Sequence, residues 1–192
     1  AKVAIILRFT RIRIPLSYKQ FVTNMTDSIS NIEATYEPLE DRILLNITTQ
    51  DHAVYSAWVT RRYLKLLIPA LHGNHPRTLK PLLSQEALGL MHLPMNDIDP
   101  RSPIFEPYEI SDDATFPLGE EPILLTKIAF SGLNTDKPLM EMNPDFGSGF
   151  EIPFEGSVLK LLLNVLQQAL PRADWDLEIN STFNLPEPAR LH

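Results

Sequence analysis

Apolar and β-branched residues cluster over residues 32–36, 42–48 and 53–59, with the turn-forming stretches 38–41 and 50–52 between them. This pattern predicts three strands. Connections this short make neighbouring strands antiparallel, because a parallel pair needs a crossover of a dozen or more residues. The expected unit is therefore a β-meander. Thr60 is placed to cap a helix over 61–71, with Pro69 expected to kink it or end it early. A second helix is expected to start after Thr78, where Leu79, Leu82, Leu83, Ala87, Leu90 and Met91 fall on one helical face with Pro81 in the first turn.

At the N-terminal side, residues 2–14 have strand composition, rich in Val and Ile and followed by Pro15. Ile5, Phe9, Ile12 and Leu16 also fall at helical spacing, but the β-branched density weighs against a helix. Residues 94–122 read as a long acidic, Pro-rich connection. Beyond it the pattern predicts strands at 123–130, 139–142 and 149–154, then a helix over 158–170 ended by Pro171. Residues 175–183 alternate in the manner of a half-buried strand, and 184–192 read as an extended tail.

The helix over 158–170 confines Lys160, Asn164, Gln167 and Gln168 to one narrow strip. A helix on a single sheet face needs a narrower apolar stripe, so this surface must also meet a second element or another chain.

The two halves echo each other. At a gap-free offset of 95, Asp41 aligns with Asp136, Leu44 with Leu139, and the run Leu64, Lys65, Leu66, Leu67 with Leu159, Lys160, Leu161, Leu162. Leu-rich helices also match one another by composition alone. The expectation is an α+β fold of antiparallel β-meanders with packed amphipathic helices, as two similar sheet-plus-helix units. It places a single domain over 1–192, with a pseudo-repeat of 32–71 and 127–166 joined by the connection 94–122.

Composition narrows the class. A hydrophobic share of 44% and a charged share of 21% are those of a globular chain, and the length suits one domain. The apolar stretch 161–170 is interrupted by Asn164, Gln167 and Gln168 and falls short of the roughly 20 residues of a membrane helix. No membrane span is expected. The apolar run 3–7 stops at Arg8 with no cleavage pattern after it, which argues against a signal peptide. The absence of Cys removes disulfides, thiolate ligands and a thiol nucleophile, and suits a cytoplasmic setting.

Charge is distributed unevenly. Lys2, Arg8, Arg11, Arg13 and Lys19 stand in the first 26 residues without an acid, so the remainder carries −12 of the net −7. Such asymmetry suits a polyanion-binding arm or a basic edge strand that resists aggregation.

Candidate chemistry is sparse. His72 and His75 form an H-x-x-H spacing, two ligands where a structural metal site needs four and a catalytic one three, so they read as solvated loop histidines and no metal is assigned. The pairs Asp97 and Asp99, Asp112 and Asp113, and Glu120 and Glu121 lack the calcium-loop pattern and read as connector acids. Asp145-Phe146-Gly147 matches the kinase metal-binding tripeptide without the motifs that give it meaning, and Gly147-Ser148-Gly149 lacks the spacing of a nucleophile elbow. No phosphate-cradling loop or dinucleotide fingerprint occurs, so no cofactor is expected. Arg61, Arg62 and Lys65 sit near a helix start, where cations oppose the helix dipole and ask for another reason: a phosphate, an acidic neighbour or plain solvation.

Three functions fit these residues. The reading that assumes least is a non-enzymatic protein-interaction module, with a protein partner or a homo-oligomer formed through the 158–170 helix or a meander edge. The second is a polyanion or nucleic-acid binder acting through the basic N-terminal segment, although no nucleic-acid motif supports it. The third is an enzyme or small-ligand binder whose groups, with His52, His72, His75 and the acids as the available candidates, converge only in three dimensions.

Overall fold

The computed structural model describes residues 29–83 and 111–177, together with the backbone of 3–6 and 22–24. Within these residues the order is β1 (Val3–Ile6), β2 (Val22–Asn24), β3 (Ile29–Glu37), β4 (Arg42–Thr49), β5 (Val54–Val59), α1 (Arg61–Leu71), β6 (Ile123–Leu124), β7 (Lys127–Ser131), β8 (Leu139–Asn143), β9 (Gly149–Pro153) and α2 (Gly156–Ala173). They form an α+β fold of two sheets, each accompanied by the helix that follows its meander.

The four-stranded sheet runs β3-β4-β5-β6 and the five-stranded sheet runs β1-β7-β8-β9-β2. Each is built on a three-stranded antiparallel meander. Parallel pairs occur at β2 with β9 and at β5 with β6. The two meanders share one register at the offset of 95: Leu44 lies opposite Trp58, and Leu139 opposite Pro153. Their β-turns also match, with His52 (φ 63°) and Gly147 (φ 92°) both left-handed. The first strand of the second unit is displaced by one residue, since Ala34 faces Leu45 whereas Phe130 faces Met140.

Three expectations about elements are corrected. The strand expected over 123–130 is two strands in different sheets. The chain changes sheets at Leu125 and Thr126, where the Leu125 N–H donates to Trp58 O (3.1 Å) and the Thr126 N–H to Asn143 O (3.0 Å). Burial of the Leu125 side chain in the core holds the crossing. The second helix does not start after Thr78: Leu79 has φ 54°, and the Leu79 and Leu82 N–H groups donate back to His75 O and Gly73 O. The part of that helix beyond Leu83 lies outside the described residues. The segment starting at Trp175 is not a strand in its described part, because Asp174 (φ 48°) and Asp176 (φ 50°) fold the chain to either side of Trp175. Residues 178–183 of that expected strand, and the tail, also lie outside the described residues.

Neither helix stops at its proline. α1 continues past Pro69 to Leu71, and α2 past Pro171 to Ala173. A proline in a last turn forfeits one intrahelical bond, and the residues beyond it, Ala70, Leu71 and Ala173, are buried. Residues 3–6 are extended, in antiparallel register with β7; the remainder of the strand expected over 2–14 is outside the described residues, as is most of the connection 94–122. Its described end, 111–122, consists of turns and a single bridge between Thr115 and Ala53.

One continuous hydrophobic core joins both units. Ile43, Leu45 and Ile47 line the core face of one sheet; Met140, Met142, Phe150 and Ile152 line that of the other. Tyr55 and Phe150, equivalent at the offset of 95, meet with ring centroids 5.9 Å apart. The wide apolar arc of α2 is used within the chain: it buries Leu162, Leu163, Leu166 and Ala169 and packs on β3 of the other unit and on α1. In turn α1 reaches β7, where buried Tyr63 donates from its hydroxyl to Lys127 O (3.4 Å). Each fully buried Leu contributes about 1.5–3 kcal/mol, so the helices bind the units together.

Candidate functional site

Where the C-terminal end of α2 meets the β3–β4 hairpin, Trp175 converges with two side chains of that hairpin, Tyr36 and Asp41. The hairpin turn places Asp41 in the left-handed region at φ 48°, which Asp tolerates better than most residues. Asp41 Oδ1 accepts a hydrogen bond from Tyr36 Oη at 2.9 Å and another from Trp175 Nε1 at 2.7 Å. The Tyr36 and Trp175 rings stand edge to face, centroids 5.9 Å apart. The Trp175 hydrogen bond, and after it that from Tyr36, hold the Asp41 carboxyl below its ordinary range, with the nearby charge of Arg61 adding to the effect. The same carboxylate raises the Tyr36 phenol. Arg61, a cation at a helix start, thus has an acidic neighbour in its own chain.

Trp175 is 3% exposed, held with its nitrogen on Asp41 and its ring against the core. Beside it opens a cleft of about 300 Å³ with an apolar wall of Leu170, Pro171, Trp175 and Leu177 and polar lining from Gln167, Asp174 and Asp176. That volume is at the bottom of the range for small-molecule sites, and the cleft is open to solvent, so it suits one or two inserted side chains better than an enclosed substrate. The hairpin that supplies Asp41 also carries Leu39, 96% exposed at its tip.

The sequence-predicted candidates are scattered elsewhere. His72 closes α1, its backbone N–H donating to Ile68 O and Pro69 O, and partial burial lowers its imidazole pKa. His75 Nδ1 accepts from the backbone N–H groups of Arg77 and Thr78, each at 3.2 Å, so that nitrogen shapes the loop. His52 sits in the β4–β5 turn with Nε2 4.0 Å from Asp113 Oδ2, both side chains largely exposed. Asp113 is itself hydrogen-bonded to Ser111, and Asp112, Glu120 and Glu121 are solvated. Asp97 and Asp99 lie outside the described residues. The kinase-like tripeptide is the β8–β9 turn: Asp145 pairs with Lys127 (3.3 Å), and Phe146 is 65% exposed. Among the described residues no group of three or more His, Asp or Glu could hold a metal ion. No helix there is long and apolar enough to cross a membrane.

A second polar grouping lies on the face of the five-stranded sheet away from the core, where Glu141 and Asn143 are buried on β8 and Glu141 faces Glu151 on β9. Sequence reasoning missed both groupings. In the sequence Asp41 stands out only through its alignment with Asp136, and Trp175 only as the first residue of the alternating segment 175–183.

The fold class and this cleft are what the chain offers for comparison with known proteins. No family model, no curated protein and no solved structure matches it.

Proposed function

We propose that this chain is a non-enzymatic protein-interaction module that receives side chains of a partner protein in the cleft at the C-terminal end of α2. The observation that carries the reading is a cleft open to water, with one apolar wall and a polar margin, whose Trp175 is fixed in advance by the Asp41 hydrogen bond. A preorganised aromatic wall costs little ordering on binding, and aromatic side chains are enriched in protein interfaces. Much of the apolar arc of α2 proposed for self-association, including Leu162, Leu163, Leu166 and Ala169, is used within the chain, so the cleft is the surface on which the reading rests. We place the protein in the cytoplasm on its cysteine-free composition.

The test is purification of tagged protein from its native host beside a variant carrying Leu177→Asp and Pro171→Asp, with bound proteins identified for both. A partner held by the wild type and lost from the folded variant supports the reading. A partner set identical for both removes the cleft as the binding surface.

A further inference from the structure

We propose that the segment received by the cleft is basic and aliphatic, a Lys or Arg flanked by residues such as Leu or Ile; this rests on the protein-interaction reading above. The apolar wall sets the aliphatic part, since Leu170, Pro171, Trp175 and Leu177 offer no side-chain hydrogen-bonding group beyond the indole nitrogen that Asp41 already occupies, and Gln167 is the one uncharged polar side chain in the lining. The rim sets the charge. Asp174 and Asp176 both line the cleft and no base does. Arg172 is exposed on the adjoining turn but is not among the lining side chains.

The neighbouring cations have other engagements. Arg42 lies 3.5 Å from Glu40 and over the Trp58 ring, and the charge of Arg61 acts on Asp41. Among the described residues no ion pair neutralises Asp174 or Asp176. Asp174 and Asp176, in left-handed conformation on either side of buried Trp175, give the rim two fixed points of negative charge. A long cationic side chain satisfies both features at once, its methylene stem along the apolar wall and its head in water beside a carboxylate. Exposed charges of this kind select a partner and speed its encounter more than they add affinity.

The experiment uses the full chain carrying Trp58→Phe, which leaves Trp175 as the sole indole, with calorimetry on the unsubstituted protein as a second readout. Three short peptides of alternating sequence are titrated: Leu with Lys, Leu with Gln, and Leu with Glu. The expected result is binding of the Leu–Lys peptide alone, weakened by added salt and by about tenfold in the Asp174→Asn, Asp176→Asn double variant. Equal binding of the Leu–Gln peptide, or indifference to the double variant, overturns the basic-partner inference and leaves the cleft standing. No change in Trp175 emission and no heat with any peptide overturns both.

Discussion

At the scale of single residues, Asp41 does the work of joining distant parts of the chain. Its carboxylate is the common acceptor for Tyr36 and Trp175, 134 positions apart from the latter. Because those hydrogen bonds lower its pKa, the folded state binds a proton there less readily than the unfolded chain does. The resulting stability is present above the ordinary Asp range near 3.9 and is lost as pH falls through the depressed folded value. Asn at this position keeps an acceptor oxygen but cannot titrate. Urea midpoints at pH 7 and pH 3 should therefore fall further for the wild type than for Asp41→Asn. An equal fall in both would show that this carboxylate contributes nothing to acid sensitivity.

At the scale of elements, the sequence was read correctly wherever local chemistry decides the structure. Thr60 caps α1 by accepting from the Tyr63 N–H at 3.2 Å, in an extended conformation before the first turn. Thr60→Ala should cost about 1 kcal/mol, seen as a lowered denaturation midpoint with an unchanged slope. A midpoint that does not move would mean that water replaces the cap. Expected strands at 32–36, 42–48, 53–59, 139–142 and 149–154 match observed ones to within a few residues, because short turns and apolar patterning act locally. Misreadings occurred where a distant contact decides. Leu125 leaves one sheet for another under the pull of a core formed by both units, and the left-handed Leu79 is fixed by bonds back to the His72–His75 loop. The cleft was illegible for the same reason, since Asp41 and Trp175 carry no signal of each other in sequence.

Gly149 is another element-scale feature, invisible as a requirement until the strands are paired. A Cβ there would stand 2.4 Å from Met142 O and 2.2 Å from Asn143 Oδ1, where β9 begins beside β8. Two of its three nearest atoms are backbone, so a side chain cannot be accommodated by a rotamer change alone. Gly149→Ala should destabilise by about 1–3 kcal/mol, the range for overpacking, read by thermal melting. A variant as stable as the wild type would mean that the β8–β9 start can shift freely.

At the scale of the molecule, the question is whether two sheet-plus-helix units behave as one body. Their relation is reciprocal: α2 packs on β3 of the first unit, α1 reaches β7 of the second, and Tyr55 meets its equivalent Phe150 between them. Trp175 adds a bond from beyond α2 back to the first hairpin. Removing the first unit would expose the α2 arc that includes Leu162 and Leu166, both fully buried, and removing the second would uncover the β3 surface on which α2 packs, at about 1.5–3 kcal/mol for each large side chain uncovered. That loss is large beside the 5–15 kcal/mol by which domains are stable, so neither unit should persist when the other unfolds. Equilibrium unfolding in urea should give one transition, with tryptophan fluorescence, which reports Trp58 and Trp175, superimposing on the far-ultraviolet circular dichroism of both helices. Leu166→Ala should lower that single midpoint for both probes together, at a cost of about 2–5 kcal/mol. Two separated transitions, or a variant that moves one probe only, would show that the units hold their structure independently and that the shared core does not make them cooperative.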